Sequence, residues 1–170
     1  MRGLMKDAID AVQNAWTRER PDVDNWPVGV IGRTQRLARL FEDELQSFFR
    51  HYGLDTGEVD VLLTLRRSGA PYGLTPTQLG KSLMITSGAV TKRINRLETR
   101  RFIQRIPDPL DGRIVQIRLT DHGFKTIDGL FGPHIANEAR LLKGLNRDKL
   151  DQLAELLQSL LQDLGDIPRL

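Results

Sequence analysis

The sequence predicts a mainly α-helical fold with one small β-hairpin, on three observations. Apolar residues recur at i, i+3, i+4 and i+7 through most of the 170 residues, the spacing of one buried helix face. Alternation of apolar and polar residues marks residues 113–119, just after a short run at 102–106; a period of two belongs to a half-buried strand. Leucine is abundant and aromatic residues make up 6%, as in a helical domain.

Residues 4–19 place Leu4, Ala8, Ala11, Val12 and Ala15 at helical spacing, and Arg20-Pro21-Asp22 stops the helix. Trp16 lies near its end. It either packs the helix onto the body or supplies the aromatic wall of a pocket, and spacing alone favours packing. Residues 27–51 form a long helix with Val30, Ile31, Leu37, Leu40, Phe41, Leu45, Phe48 and Phe49 as its apolar set. Gly53 stops it, since glycine takes the left-handed conformation at no steric cost. Residues 54–67 are the next helix, with Asp55 or Thr56 as cap and Glu58 in its first turn. Asp60 stands inside the run Val59-Asp60-Val61-Leu62-Leu63. A carboxylate there is expected to be partly buried and to need a cationic partner, Arg67 being a local one. Residues 68–73 are expected to be a loop.

Thr75 is a good N-cap, with Pro76 at the first helical position. Leu79 and Leu83 share one side, and Met84-Ile85 turn the chain. Thr86 or Ser87 caps the following helix, whose buried stripe is Val90, Ile94 and Leu97. At about 100° per residue, Gly88, Lys92, Asn95, Arg96 and Thr99 fall on the opposite face. This face is slim at its N-terminal end and cationic beyond it, which suits entry into a DNA major groove. Arg93 falls instead on the flank of the buried stripe, where a charge needs a partner inside the protein.

A strand at 102–106, the loop Pro107-Asp108-Pro109-Leu110-Asp111-Gly112, and a strand at 113–119 make a hairpin. Its two prolines and glycine keep that loop out of both strands. Arg113 stands near the tip, and Asp111 can hold it by a charge-assisted hydrogen bond. A cation on a narrow projecting loop suits the negative potential of a minor groove. The plain alternative is a surface hairpin with a stray ion pair; its place just after a basic helix favours a wing. Helix, turn, basic helix and hairpin are therefore expected to form a winged helix-turn-helix over residues 54–119.

A long helix from Asp121 to about Lys143 follows, with Gly132-Pro133 as a point of bending. Asn146 or Asp148 caps the last helix, whose leucines at 150, 153, 157, 160, 161 and 164 run close to a heptad pattern. A two-sided leucine helix at a terminus calls for a partner. Residues 1–52 and 121–170 are thus expected to be dimerisation helices of one 1–170 domain, and the dimer to read a pseudo-palindromic operator in double-stranded DNA.

Net charge is +3 and the sequence pI about 9.5. Basic residues clearly outnumber acidic ones between Lys92 and Arg118, so the charge is local. There is no cysteine, which removes disulfides and thiol chemistry. His51, His122 and His134 are scattered and are expected at the surface or at helix ends. No nucleophile–base pair, metal cluster or phosphate loop is visible, so neither an enzyme nor a cofactor is expected. No run is long enough to span a membrane, and a cytoplasmic protein is expected.

Three groups of residues now stand in order: Ser87, Val90-Thr91 and Arg96-Leu97-Glu98; Asp108-Pro109 and Asp111-Gly112-Arg113; then Leu119-Thr120 and Gly123. Together they resemble the winged helix-turn-helix of the MarR family of transcriptional regulators, over roughly a quarter of the chain. The resemblance implies that Thr86, Ser87, Gly88, Thr91, Lys92, Asn95, Arg96 and Arg113 contact DNA.

Four residues have no role in that reading: Trp16, Asp60, Arg93 and Arg105. Two inward-leaning arginines, a carboxylate and an indole can hold a flat anion; equally, Asp60 can simply bridge an arginine while Trp16 packs. The added N-terminal helix ending Ala15-Trp16-Thr17-Arg18-Glu19-Arg20-Pro21-Asp22 resembles the urate-responsive, PecS-like branch of the family. That branch carries a Trp, an Asp and two Arg at the places of Trp16, Asp60, Arg93 and Arg105, with Trp26 a rival for Trp16. The resemblance implies that urate, xanthine or another aromatic anion, bound between the dimer core and the DNA-binding lobe, lowers DNA affinity. The alternative is a constitutive or architectural DNA-binding regulator with no ligand.

Overall fold

A computed structural model describes residues 6–108, 111 and 114–166. The elements run α1 (Ala8–Glu19), α2 (Trp26–Arg50), α3 (Thr56–Arg67), β1 (Gly73–Leu74), α4 (Pro76–Leu83), α5 (Ser87–Thr99), β2 (Ile103–Pro107), β3 (Val115–Leu119), α6 (Asp121–Leu141) and α7 (Arg147–Asp163). The chain divides into two compact units, Met1–Thr56 and Gly57–Leu170.

In the first unit, the Asp7 side chain caps α1 and forms a capping box with Asp10. The expected start near residue 4 lies outside the described residues. No residue of α1 is buried, so its docking onto α2 is largely polar. The Arg33 guanidinium donates to Asp7 Oδ2 and to Asp10 Oδ1, each at 2.8 Å. Asn25 Nδ2 donates to Thr17 Oγ1 at 2.9 Å. Gly32 lets Ile9 close in, since a Cβ there would sit 3.0 Å from Ile9 Cδ1. Past the end of α2, Gly53 has φ +67° and reverses the chain. The Leu54 N–H then donates to the Phe49 carbonyl at 3.1 Å.

The second unit has its core between α3, α5, the sheet and α6. Val61, Leu62 and Leu65 of α3, Ile94 and Leu97 of α5, Ile117 of β3 and Ile127 and Leu130 of α6 are fully buried. The three-stranded sheet is antiparallel in the order β1-β3-β2. Its edge strand β1 corrects the expected loop at 68–73: Gly73 pairs with Arg118 and Leu74 with Ile117. Two residues are too short a run to show a period of two, and β1 exists because β3 offers it a partner. Pro107 is a second correction. It ends β2 opposite Val115 rather than lying in the loop, as a strand end tolerates a residue without an N–H. Asp108 organises the base of the hairpin. Its N–H donates to the Ile114 carbonyl at 2.7 Å, and its carboxylate accepts from Gln116 Nε2 at 3.2 Å. Pro109, Leu110, Gly112 and the expected wing-tip residue Arg113 lie outside the described residues.

Thr120 links the hairpin to α6. Its hydroxyl donates to the Arg101 carbonyl at 2.7 Å and accepts from the Gly123 N–H at 3.0 Å. Arg66 ties α3 to α6, at 2.7 Å from Asp128 with its guanidinium over the Phe124 ring at 4.7 Å. His134 corrects the expectation of a surface histidine: it is buried in the middle of α6, with Nε2 3.4 Å from Glu138. Asn146 caps α7. No residue of α7 is buried, and Leu153, Leu156, Leu157, Leu160 and Leu161 are exposed. Among the described residues no helix is long and apolar enough to cross a membrane.

Candidate DNA-binding interface

The helix-turn-helix is built by local chemistry. Thr75 caps α4, and Gln78 returns a hydrogen bond to the Thr75 N–H at 2.8 Å. That capping box satisfies two helix-end donors. The turn passes through Met84, whose φ of +53° is left-handed, and the Ile85 N–H closes onto the Gly80 carbonyl. Gly80 also permits close packing, since a Cβ there would be 3.3 Å from Val90 Cγ2. Thr86 then caps α5 by accepting from the Ala89 N–H.

On α5, Val90, Ile94 and Leu97 are buried, while Ser87, Gly88, Thr91, Lys92, Asn95, Arg96 and Thr99 are exposed. Gly88 faces open space, so the leading end of the helix is slim. An open hollow runs along α4 and α5, lined by Thr77, Lys81, Ser82, Ser87 and Thr91, with Asp166 at one edge. The far end of α5 is closed by a Schellman arrangement: Arg101 takes φ +60° and Phe102 N–H donates to the Leu97 carbonyl at 2.9 Å.

The charges behind α5 depart from expectation. The buried carboxylate of α3 is Glu58, 1% exposed, whereas the Asp60 side chain is 55% exposed. These residues lie two apart, about 200° around a helix, so one faces the core when the other does not. Glu58 receives Arg96 at 3.3 Å and Arg100 at 2.9 Å. Arg96, expected to point only at DNA, is therefore also turned inward. Arg96 and Arg100, one turn apart, are the signal of this pairing in the sequence, although Asp60 sits more centrally in the apolar run.

Arg93 lies 3.6 Å from Asp60 and covers Gly57, where a Cβ would be 2.6 Å from Arg93 Nε. Arg105 does not lean inward. It is exposed, pairs with Glu98, and donates to Asn95 Oδ1 at 2.7 Å, so β2 braces the flank of α5. Trp16 and Trp26 are both exposed on the first unit. No group of His, Asp or Glu among the described residues is arranged to hold a metal ion.

The MarR family model matches residues 52–114. The HTH-type transcriptional regulator PecS of Dickeya dadantii is 40% identical over 151 residues, covering 89% of this chain and 90% of that protein. The chain belongs to the MarR family. It is a DNA-binding transcriptional regulator and not an enzyme. MarR of Escherichia coli is 27% identical over 77% of this chain and 90% of its own length. Among solved structures, the MarR-family regulator AbsC of Streptomyces coelicolor shares the fold with a TM-score of 0.76 at 19% identity, over 85% of this chain and 98% of its own. A mutant MarR from E. coli complexed with operator DNA aligns with a TM-score of 0.68 at 25% identity, over 82% and 99%. The MarR-family winged helix is thus the frame in which α5 stands.

Proposed function

We propose that the protein is a homodimeric repressor that reads a pseudo-palindromic operator and is released from it by a small anion such as urate or a related purine. Ser87, Gly88, Thr91, Lys92 and Asn95 face the major groove, Arg96 stands at the edge of that face, and Arg113 enters the minor groove from the wing. The dimer forms through the exposed apolar residues of the terminal helices, among them the leucines of α7.

The observation that carries the ligand reading is the Arg93–Asp60 pair, 3.6 Å apart with both side chains reachable from solvent. Arg93 belongs to the DNA-reading helix and lies over Gly57 of α3. An anion that takes Arg93 from Asp60 shifts the helix relative to its support, and the two recognition helices then lose their match to successive grooves. The anion must bind the DNA-incompetent state more tightly for this to happen. A coupling of roughly 1–3 kcal/mol is typical and is enough. Similarity to PecS over most of the chain supports the DNA-binding regulator on which this reading is built. Trp16 enters by resemblance as the ring-stacking partner, with Asp60 and Arg105 as the polar members.

A second reading, a constitutive regulator, draws support from Arg105, which is already engaged by Glu98 and Asn95. A tryptophan-fluorescence titration with urate, alongside gel shifts on the DNA upstream of the protein's own gene, separates the two. Saturable quenching with loss of the shifted band is expected. A shift that urate leaves untouched, with no quenching, sustains the constitutive regulator instead.

A further inference from the structure

Among the described residues Glu58 is the most deeply buried charge, 1% exposed between Gly57 and Val59. Removing a carboxylate from water is expensive unless cations and donors replace the water. Here the replacements come from α5. Arg100 Nη1 donates to Oε2 at 2.9 Å, and Arg96 Nη2 stands 3.3 Å from Oε1. The two arginines are one helical turn apart, so a single carboxylate spans a full turn of α5 from behind. Arg100 is held further by the Phe102 ring, 4.9 Å from its guanidinium carbon. Arg96 has a half-exposed side chain at the margin of the face carrying Lys92 and Asn95.

Two consequences follow from this geometry. A two-point attachment one turn apart fixes the rotation of α5 about its axis, and with it the direction of Thr91, Lys92 and Asn95. The same attachment draws the charge of Arg96 back toward Glu58 and the α3 side of the helix. Contacts to phosphates add affinity without sequence information.

We propose that Glu58 is a specificity-determining positioning residue, which sets the angle of α5 through Arg96 and Arg100 and withholds Arg96 from the phosphates of non-operator DNA. The inference rests on α5 being the helix that reads DNA. Neutralising Glu58 therefore weakens binding to the right sequence and strengthens binding to the wrong one.

The test uses the full chain with E58Q, R96Q and the double variant, each checked by thermal unfolding. The probes are a duplex selected by the wild-type protein from a randomised pool, and a scrambled duplex of the same composition. For E58Q, affinity for the selected duplex is expected to fall about tenfold, the loss of one good base contact. Affinity for the scrambled duplex is expected to rise, with a salt dependence steeper by about 0.9, one added phosphate contact. The double variant returns scrambled binding to the wild-type value. A merely structural role lowers both affinities in proportion, and that result, or no change in either, overturns the proposal. If E58Q does not fold, R96Q decides. Unchanged scrambled affinity and slope uphold the withholding of Arg96, and a slope shallower by about 0.9 overturns it. A wild-type protein that selects no sequence overturns the reading of α5 itself, an outcome distinct from the others.

Discussion

Gly123, near the start of α6, lies so close to the Phe102 carbonyl that a Cβ on it would sit 1.9 Å from the oxygen. The same carbonyl accepts from the Thr120 N–H at 3.1 Å, so the oxygen cannot move away without breaking a bond at the cap of α6. Gly123→Ala is expected to destabilise the fold by about 3 kcal/mol, at the upper end for a steric intrusion. Urea unfolding measures it, and a loss under about 1 kcal/mol would show that the junction yields freely.

Met84 holds the left-handed position of the turn between α4 and α5 and is exposed. A side chain there costs energy that glycine avoids. Met84→Gly is expected to stabilise the protein by about 0.5–1 kcal/mol, offset in part by a more flexible unfolded chain. A lowered melting temperature would contradict this.

Asp7 is held below the ordinary aspartate range, chiefly by the hydrogen bond from Arg33 and then by the Asp10 N–H. A carboxylate lowered on folding stabilises the docked α1 above its unfolded range, and that contribution disappears as pH falls through the lowered one. Helicity is expected to be flat from about pH 8 to 5 and to drop below about pH 4. In Asp7→Asn part of that acid step is absent. Superimposable acid curves by circular dichroism would remove Asp7 from the account.

Lys92 is exposed on the outer face of α5. Lys92→Ala is expected to weaken binding similarly on all sequences and to lessen the salt slope by about 0.9. Fluorescence anisotropy at several salt concentrations reads both numbers; a slope equal to wild type places Lys92 away from the backbone.

Arg93→Ala and Trp16→Phe are each expected to abolish the urate response while leaving the oligomeric state unchanged. Full release of DNA by urate in both variants would sink the ligand site. Removing α7 takes away no buried residue, so the winged unit should stay folded while sedimentation shows monomers. A stable dimer after truncation puts the interface elsewhere.

The sequence by itself determined the features whose physics is local. Thr75, Thr86 and Asn146 cap α4, α5 and α7 because a short side-chain oxygen reaches an N–H two or three residues on, whatever the rest of the chain does. The stripe Val90, Ile94 and Leu97 is likewise a property of 3.6 residues per turn. Tertiary structure decided the rest. The choice of Glu58 over Asp60 as the buried acid depends on which face of α3 meets α5. The strand at Gly73–Leu74 exists through its pairing with β3. Arg105 turned to Glu98 and Asn95, and Arg96 toward Glu58, because a long cationic side chain settles on whichever partner packing brings within reach. That partner lies 7 residues away for Arg105 and on a different helix for Arg96.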